Sequence, residues 1–189
     1  LGGLLYVTSG LGGMSGAQAK AAVITGAVSV IAESNSHAAI KRHEQGWLSE
    51  LFYDLDELIV RLRTCIDDKE AVSLGYVGNI IDVWERLNIE NIIPDLGSDQ
   101  TSLHNPWLGG YTPYGMTYEQ MKEMISTDPE GFKITVKESL VKHVNVINQL
   151  SDKGMYFWDY GNAFLLEAGR AGADIYSKET SSGFRYPSY

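Results

Sequence analysis

A glycine-rich turn near the start of the chain constrains the fold more than any other feature. The apolar run at residues 4–7 leads into Gly10, Gly12 and Gly16, which follow a GxGxxxG pattern. An alanine-rich segment and a second apolar run come next, so the order is strand, glycine turn, helix and strand. Glycine has no side chain, which lets phosphates approach the backbone N–H groups at a helix N-terminus. The sequence therefore predicts a dinucleotide site.

The acid that closes the second apolar run refines this prediction. Glu33 lies about 20 residues beyond the glycines, where an acidic side chain accepts hydrogen bonds from the adenosine ribose and repels a 2′-phosphate. This position favours NAD over NADP. The alternative is that Glu33 is only a solvated acid at the end of a strand.

Short apolar runs and helical periods alternate along the rest of the chain. Strands are predicted at residues 4–8, 27–33, 71–77, 92–95 and 155–159. Helices are predicted at residues 54–69, 79–88 and 128–150, and Ala17, Ala19, Ala21 and Ala22 are expected to face the sheet. This alternation is typical of right-handed crossovers. We therefore predict one α/β domain over residues 1–189, with a Rossmann-like, doubly wound, mostly parallel sheet flanked by helices.

Composition argues against several classes of partner. The net charge of −9 disfavours nucleic acid. The longest apolar stretch, residues 21–32, is well short of the roughly 20 residues that span a bilayer, so no membrane segment is predicted. Cys65 is the single cysteine, which excludes an internal disulfide, fits a cytoplasmic location and is expected to be a structural thiol. No histidine pair has the spacing of a metal site.

Polar residues follow three of the predicted strands. Residues 97–117 have no periodicity and read as a long structured loop, with dense hydrogen-bonding side chains between Ser98 and Asn105. Asn79 follows the third strand and Tyr160 follows the fifth, where ligands bind in doubly wound folds. Each position has a simpler alternative: Asn79 as a helix cap, and His104 as a structural hydrogen-bonding group.

Three separated segments agree with one known family. TSGLGGMSGAQ (8–18), SDQTSLHNPWLGGY (98–111) and FWDYGNAFLLEA (157–168) closely resemble urocanase. The resemblance implies the central NAD-binding domain of a longer chain, which agrees with a first residue other than Met. It also implies a homodimeric enzyme that adds water to urocanate to give imidazolonepropionate, with NAD⁺ as the electrophile. The family's active-site cysteine falls beyond residue 189, so no catalytic residue is assigned here.

The resemblance also assigns cofactor contacts to positions in this chain. They are Gly12, Gly13, Met14, Ser15, Glu33, Asn79, Ile80, Gln100, Thr101, Ser102, Leu103, His104, Tyr111, Thr112 and Tyr160. Ser15 replaces a glycine of the family pattern, and Ala38 stands where many relatives carry an arginine. Two alternatives remain open, an NAD-dependent oxidoreductase domain and a non-enzymatic module that binds NAD.

Overall fold

The computed structural model describes residues 2–99, 101, 103–179 and 183–189. The strands are β1 Leu5–Ser9, β2 Val28–Glu33, β3 Glu50–Phe52, β4 Val72–Val77, β5 Leu96–Asp99 and β6 Tyr156–Asp159. The helices are α1 Ala17–Ile24, α2 Ser36–Glu44, α3 Leu55–Asp67, α4 Ile80–Ile89, α5 Tyr118–Thr127, α6 Pro129–Asp152 and α7 Phe164–Arg170, with a 3-10 helix at Pro106–Leu108.

The six strands form one parallel sheet in the order β3-β4-β2-β1-β5-β6. From β1 the chain moves outward on one side through β2 to β3 and β4, and then crosses back to place β5 and β6 on the other side. The direction of winding therefore reverses between β1 and β5, which is where ligands bind in such sheets. The predicted Rossmann-like, doubly wound fold is confirmed.

Helices bury both faces of the sheet. On one face Trp84, Phe132 and Phe157 belong to a large apolar cluster, and on the other Leu11 and Ile31 belong to a smaller one. Alternate residues of each strand point to opposite faces, which explains why neighbouring residues join different clusters. Burial of one large apolar side chain contributes about 1.5–3 kcal/mol. The described residues therefore build a hydrophobic core on each face of the sheet.

Polar side chains fix where the helices begin. Asp54 Oδ1 accepts hydrogen bonds from the N–H groups of Asp56 and Glu57 at the start of α3. Asn35 Oδ1 accepts from the His37 N–H at the start of α2. Such caps satisfy N–H groups that have no partner within the helix, and each contributes about 1 kcal/mol.

The strand predicted at residues 92–95 is wrong, because the strand lies at Leu96–Asp99. Asp95 instead precedes the strand, and its carboxylate accepts a hydrogen bond of 2.8 Å from the Leu5 N–H. Strand β5 escapes detection because its inward positions are not apolar. Gly97 leaves room for Met155 and Trp84, whose atoms would lie 2.7 and 3.1 Å from an added Cβ.

Other expectations about local structure also need correction. Helix α2 and the short strand β3 are absent from the prediction, and Ala17 and Ala21 are exposed, whereas Ala19 and Ala22 are buried. The Asp159 N–H donates to the Pro187 carbonyl at 3.1 Å, so residues 187–189 lie along the outer edge of β6.

Candidate functional site

A cavity of about 610 Å³ opens at the carboxyl ends of the strands, a volume typical of small-ligand sites. Predicted site residues that line it are Gly12, Gly13, Met14, Ser15, Glu33, Asn79, Ile80, Thr101, His104, Tyr111, Thr112 and Tyr160. Leu103 is 1% exposed in the core and does not line the cavity. Gln100 and Ser102 lie outside the described residues. For all of these residues a role in ligand binding stays a prediction.

The glycine turn forms one wall of the cavity. Gly10 has a φ of 95°, which a residue with a side chain rarely adopts, and its N–H donates to the Ala32 carbonyl at 2.8 Å. An added Cβ at Gly13 would meet no atom within 4 Å, so this side of the turn is open. Among the described residues, the N–H groups of Gly13, Met14 and Ser15 have no hydrogen-bond partner. These N–H groups could bind an anion.

Glu33 holds the glycine turn against the end of β2. Its Oε2 accepts a hydrogen bond from the Leu11 N–H, and its Oε1 accepts one from the Asn35 N–H, both at 2.8 Å. Burial raises the pKa of this carboxyl, and the two N–H donors oppose the shift by stabilising the ionised form. Glu33 is therefore partly buried and structurally engaged, in addition to lining the cavity.

Asp99 at the end of β5 joins the loops that follow three strands. Its Oδ1 accepts from the Thr101 N–H at 2.8 Å, and its Oδ2 accepts from the Ser9 hydroxyl at 3.1 Å. The Asn162 side-chain amide donates to the Asp99 carbonyl at 3.1 Å and to the Thr101 carbonyl at 2.6 Å. Burial raises the pKa of Asp99 to about 6. The floor of the cavity at β1, β5 and β6 is thus one hydrogen-bonded unit.

His143 of α6 lies behind this floor and remains uncharged. It is fully buried, which lowers its pKa to about 3. Its Nδ1 lies 3.2 Å from the hydroxyl of Tyr111, and its Nε2 lies 3.8 Å from Asp99 Oδ2 with no hydrogen-bond partner among the described residues. Since Tyr111 lines the cavity and is 2% exposed, this contact fixes its ring from behind.

The opposite rim is closed by Asn79 and Thr112. Asn79 Oδ1 accepts from the Ile81 N–H at 2.9 Å, so the predicted cap of α4 is present. Its Nδ2 donates to the carbonyls of Thr112 and Pro113 at 2.9 and 3.1 Å. The hydroxyl of Thr112 lies 2.7 Å from that of Ser34. These bonds hold the loop after residue 109 over the end of β2.

Aromatic rings connect the cavity to the sheet near β6. Tyr6 and Trp158 stack with ring centres 5.7 Å apart, and Trp158 packs edge-on against the cavity residue Tyr160 at 5.8 Å. The Tyr6 hydroxyl is 2.7 Å from Ser98 Oγ, which in turn is 2.7 Å from Thr8 Oγ1. The central strands therefore bury hydroxyl groups that satisfy one another.

Several site residues escaped the sequence reasoning. Asn162 and Gly78 line the cavity, and Asp99 and Arg42 hold its walls. Asn162 and Asp99 lie in segments that the sequence marked as polar strand ends, but nothing in the sequence predicts the approach of Arg42 to the glycine turn.

The described part of the chain gives no support for a metal site, a reactive thiol or a membrane-spanning helix. No group of three or more His, Cys, Asp or Glu side chains there could hold a metal ion. Cys65 is buried in α3, and burial raises the pKa of its thiol to about 11, which disfavours the reactive thiolate at neutral pH. No helix that the structure describes is both long and apolar enough to cross a membrane.

The sheet order and the cavity at its switch point define a Rossmann-like α/β domain with a cavity of the size that small ligands occupy. A sequence model described as the urocanase Rossmann-like domain matches residues 1–189. The chain belongs to the urocanase family, which confirms the predicted resemblance.

Full-length relatives support the same assignment. The chain is 54% identical to urocanate hydratase from Mus musculus, 53% identical to urocanate hydratase from Homo sapiens, and 52% identical to probable urocanate hydratase from Caenorhabditis elegans. Each match covers 100% of this chain but 29% of the relative.

Proposed function

We propose that this domain binds NAD in the cavity and supplies the cofactor site of a urocanate hydratase. One observation carries the proposal: the glycine turn, Glu33 and Tyr160 are far apart in the sequence but line a single cavity at the switch point. The open N–H groups at Gly13 and Met14 fit a pyrophosphate. The whole chain's family membership supports NAD as the dinucleotide.

Within this proposal, the ends of the cavity hold different parts of the cofactor. Glu33 and Asn35 lie at the β2 side, where the adenosine ribose binds in Rossmann folds. Thr101, Asn162 and Tyr160 lie on the other side of β1 and would hold the nicotinamide half. NAD⁺ would supply an electrophile there for the addition of water to urocanate in histidine breakdown.

The chain's own residues would bind and orient the cofactor rather than transfer protons. Asp99 and His143 are fully buried behind the wall, and His143 is neutral above about pH 3, so neither is placed to touch a substrate. The family resemblance implies an active-site cysteine beyond residue 189, so the lyase reaction would need groups outside this domain. We further propose, from the family resemblance alone, that the complete enzyme is a cytoplasmic homodimer.

Ligand retention tests the cofactor assignment. We expect the purified chain to release NAD, identified by mass spectrometry after denaturation, and to bind NAD more tightly than NADP in calorimetry. Tyr160→Ala should weaken NAD binding, while Tyr156→Ala, which alters an exposed tyrosine outside the cavity lining, should leave it unchanged. Preference for NADP or a flavin would contradict the proposal.

Turnover tests the enzyme assignment separately. The full-length protein containing this domain should consume urocanate, and Tyr160→Ala should slow that reaction. Reduction of NAD by a hydroxy substrate would instead favour the oxidoreductase alternative, and NAD binding without any turnover would favour a non-enzymatic module.

A further inference from the structure

The guanidinium of Arg42, on α2, lies against the outer side of the glycine turn. Its Nε donates to the Leu11 carbonyl at 3.1 Å, and its Nη2 donates to the Gly12 carbonyl at 2.7 Å. Its Nη1 donates to Gln45 Oε1 at 2.7 Å, and the group lies 5.0 Å from the ring centre of Trp47. Each nitrogen is therefore engaged, and the planar fork has one defined orientation.

These bonds fix the orientation of two peptide planes. In a trans peptide the C=O and the N–H of the next residue point in opposite directions. Holding the Leu11 carbonyl on the side of Arg42 therefore turns the Gly12 N–H away from it, and holding the Gly12 carbonyl does the same for the Gly13 N–H. The Gly12 carbonyl also accepts from the Gly16 N–H at 3.1 Å, which restricts it further.

These N–H groups lie on the side of the turn away from Arg42, which is the side that a phosphate would approach. The Gly13 N–H has no hydrogen-bond partner among the described residues, and Gly13 lines the cavity. The Gly12 N–H donates to Ser15 Oγ at 3.0 Å, so it is held within the turn and the Gly13 N–H is the one left open to a ligand. Arg42 also puts a positive charge beside this turn in a chain with a net charge of −9.

The same side chain explains the last glycine of the motif. Gly16 has a φ of −58°, which any residue can adopt, so backbone freedom is not what it supplies. A Cβ added there would lie 2.3 Å from Arg42 Nε and 2.9 Å from the Gly12 carbonyl oxygen. Gly16 therefore leaves the space that Arg42 needs to reach the turn.

We propose that Arg42 is a positioning residue for pyrophosphate binding: it holds the carbonyls of Leu11 and Gly12 away from the cavity, which keeps the Gly12 N–H bonded within the turn and leaves the Gly13 N–H open to the ligand. This proposal rests on the proposed NAD site, which it deepens. It assigns a role to a residue that does not itself line the cavity.

Two substitutions distinguish the planar hydrogen-bonding geometry of the Arg42 guanidinium from its positive charge. Arg42→Gln removes both, and Arg42→Lys keeps the charge but cannot donate to two carbonyls in a fixed plane. We expect both variants to bind NAD about tenfold more weakly in calorimetry, as loss of charged hydrogen bonds implies. Lys41→Gln, the neighbouring exposed residue on α2, changes the net charge as Arg42→Gln does and should bind like the wild type. Wild-type affinity in Arg42→Lys or Arg42→Gln would overturn the proposal.

A ligand-free measurement keeps this test separate from the NAD assignment. Amide exchange followed by NMR should show faster exchange of the Gly12 and Gly16 N–H groups in Arg42→Gln, but not in Lys41→Gln. Unchanged exchange would overturn the positioning role. If the wild type bound no NAD while exchange accelerated as expected, the proposed function would fail but the ordering of the turn by Arg42 would stand.

A double-mutant cycle tests the link to Gly16. Gly16→Ala should weaken NAD binding in the wild type because its Cβ displaces the guanidinium. In the Arg42→Gln background the same change should cost less, so the two effects should not add. Additive effects would show that Gly16 and Arg42 act independently and would contradict the proposed arrangement.

Discussion

Asp99 shows how a single buried carboxyl can organise a site without touching its contents. It has no exposed surface, yet it accepts hydrogen bonds from Ser9 and Thr101 and lies beside Asn162. Those partners line the cavity, so the position of the carboxyl fixes theirs. Its burial is also unfavourable for the ionised form, and this makes the folding stability depend on pH.

The pH dependence of folding stability that Asp99 causes can be measured by comparison with the Asp99→Asn variant, whose side chain does not titrate. The pKa of Asp99 is about 6 in the folded protein and 3.8 ordinarily, so its protonation favours folding. That contribution is complete below the ordinary pKa and is lost as the pH rises through about 6. We expect the unfolding free energy of the wild type relative to Asp99→Asn to fall by about 2 kcal/mol between about pH 4 and pH 7.

Urea unfolding of both proteins at a series of pH values would check this, because the difference between their profiles belongs to Asp99. His143, whose pKa is lowered to about 3 in the folded protein, takes up a proton on unfolding below its ordinary pKa of 6.5. It therefore adds a slope of opposite sign, but this slope is common to both proteins and cancels in the difference. Parallel pH profiles for the two proteins would contradict the prediction.

At the scale of elements, the turn between β1 and α1 contains one glycine that its backbone conformation requires and another that keeps space open for a ligand. Gly10 is required by its φ of 95°, whereas the φ of Gly13 lies outside the left-handed region and its added Cβ would meet no atom within 4 Å. Gly10→Ala should lower the unfolding free energy by about 1–2 kcal/mol, the cost of a left-handed conformation. Gly13→Ala should leave stability near the wild type and weaken NAD binding about tenfold, since its methyl group stands where phosphates would approach.

Chemical denaturation and calorimetry on the same samples would distinguish the two effects. Each variant serves as the control for the other. Equal loss of stability in both, or unimpaired binding in Gly13→Ala, would contradict this division of roles.

The elements that the sequence predicted are those whose own residues bury an apolar face. Helix α3 buries Leu58, Leu62 and Cys65 at helical spacing, and its residues alone show this. Strand β5 could not be found in this way, because its buried Ser98 and Asp99 are satisfied by side chains from distant parts of the chain. Helix α2 is largely polar and buries only Ala39, so it depends on its Asn35 cap and on contacts made by the folded chain.

The candidate site was predicted in part for the same reason. Glycines and strand-end polar residues leave a mark in the sequence, so Gly13, Glu33 and Tyr160 could be singled out. Arg42 acts on backbone carbonyls that lie 30 and 31 residues away, which no local pattern encodes.

At the scale of the whole molecule, the sheet has one edge at β3 and the other at β6. Exposed strand edges invite pairing with other chains, and residues 187–189 cover the edge of β6. The Tyr189 N–H donates to the Asp159 carbonyl at 2.9 Å, and the Asp159 N–H donates to Pro187.

Removal of residues 187–189 should therefore lower the unfolding free energy by about 1–3 kcal/mol and promote association that rises with concentration. Thermal unfolding and light scattering would measure both effects. Tyr189→Phe keeps the backbone bonds and loses only the hydroxyl contact with Tyr156, so it should remain monodisperse and close to wild-type stability. If the chain without residues 187–189 unfolded at the same temperature as the wild type and associated no more than it, this role of the segment would be contradicted.

The stack of Tyr6 on Trp158 also has an optical consequence. Trp158 contacts Tyr160, which lines the cavity, whereas Trp47, Trp84 and Trp107 are not among the cavity residues. A ligand that reorients Tyr160 would therefore alter the surroundings of a single indole. The domain thus carries an intrinsic fluorophore one contact away from the cavity, through which binding of a ligand there could be followed without an added label.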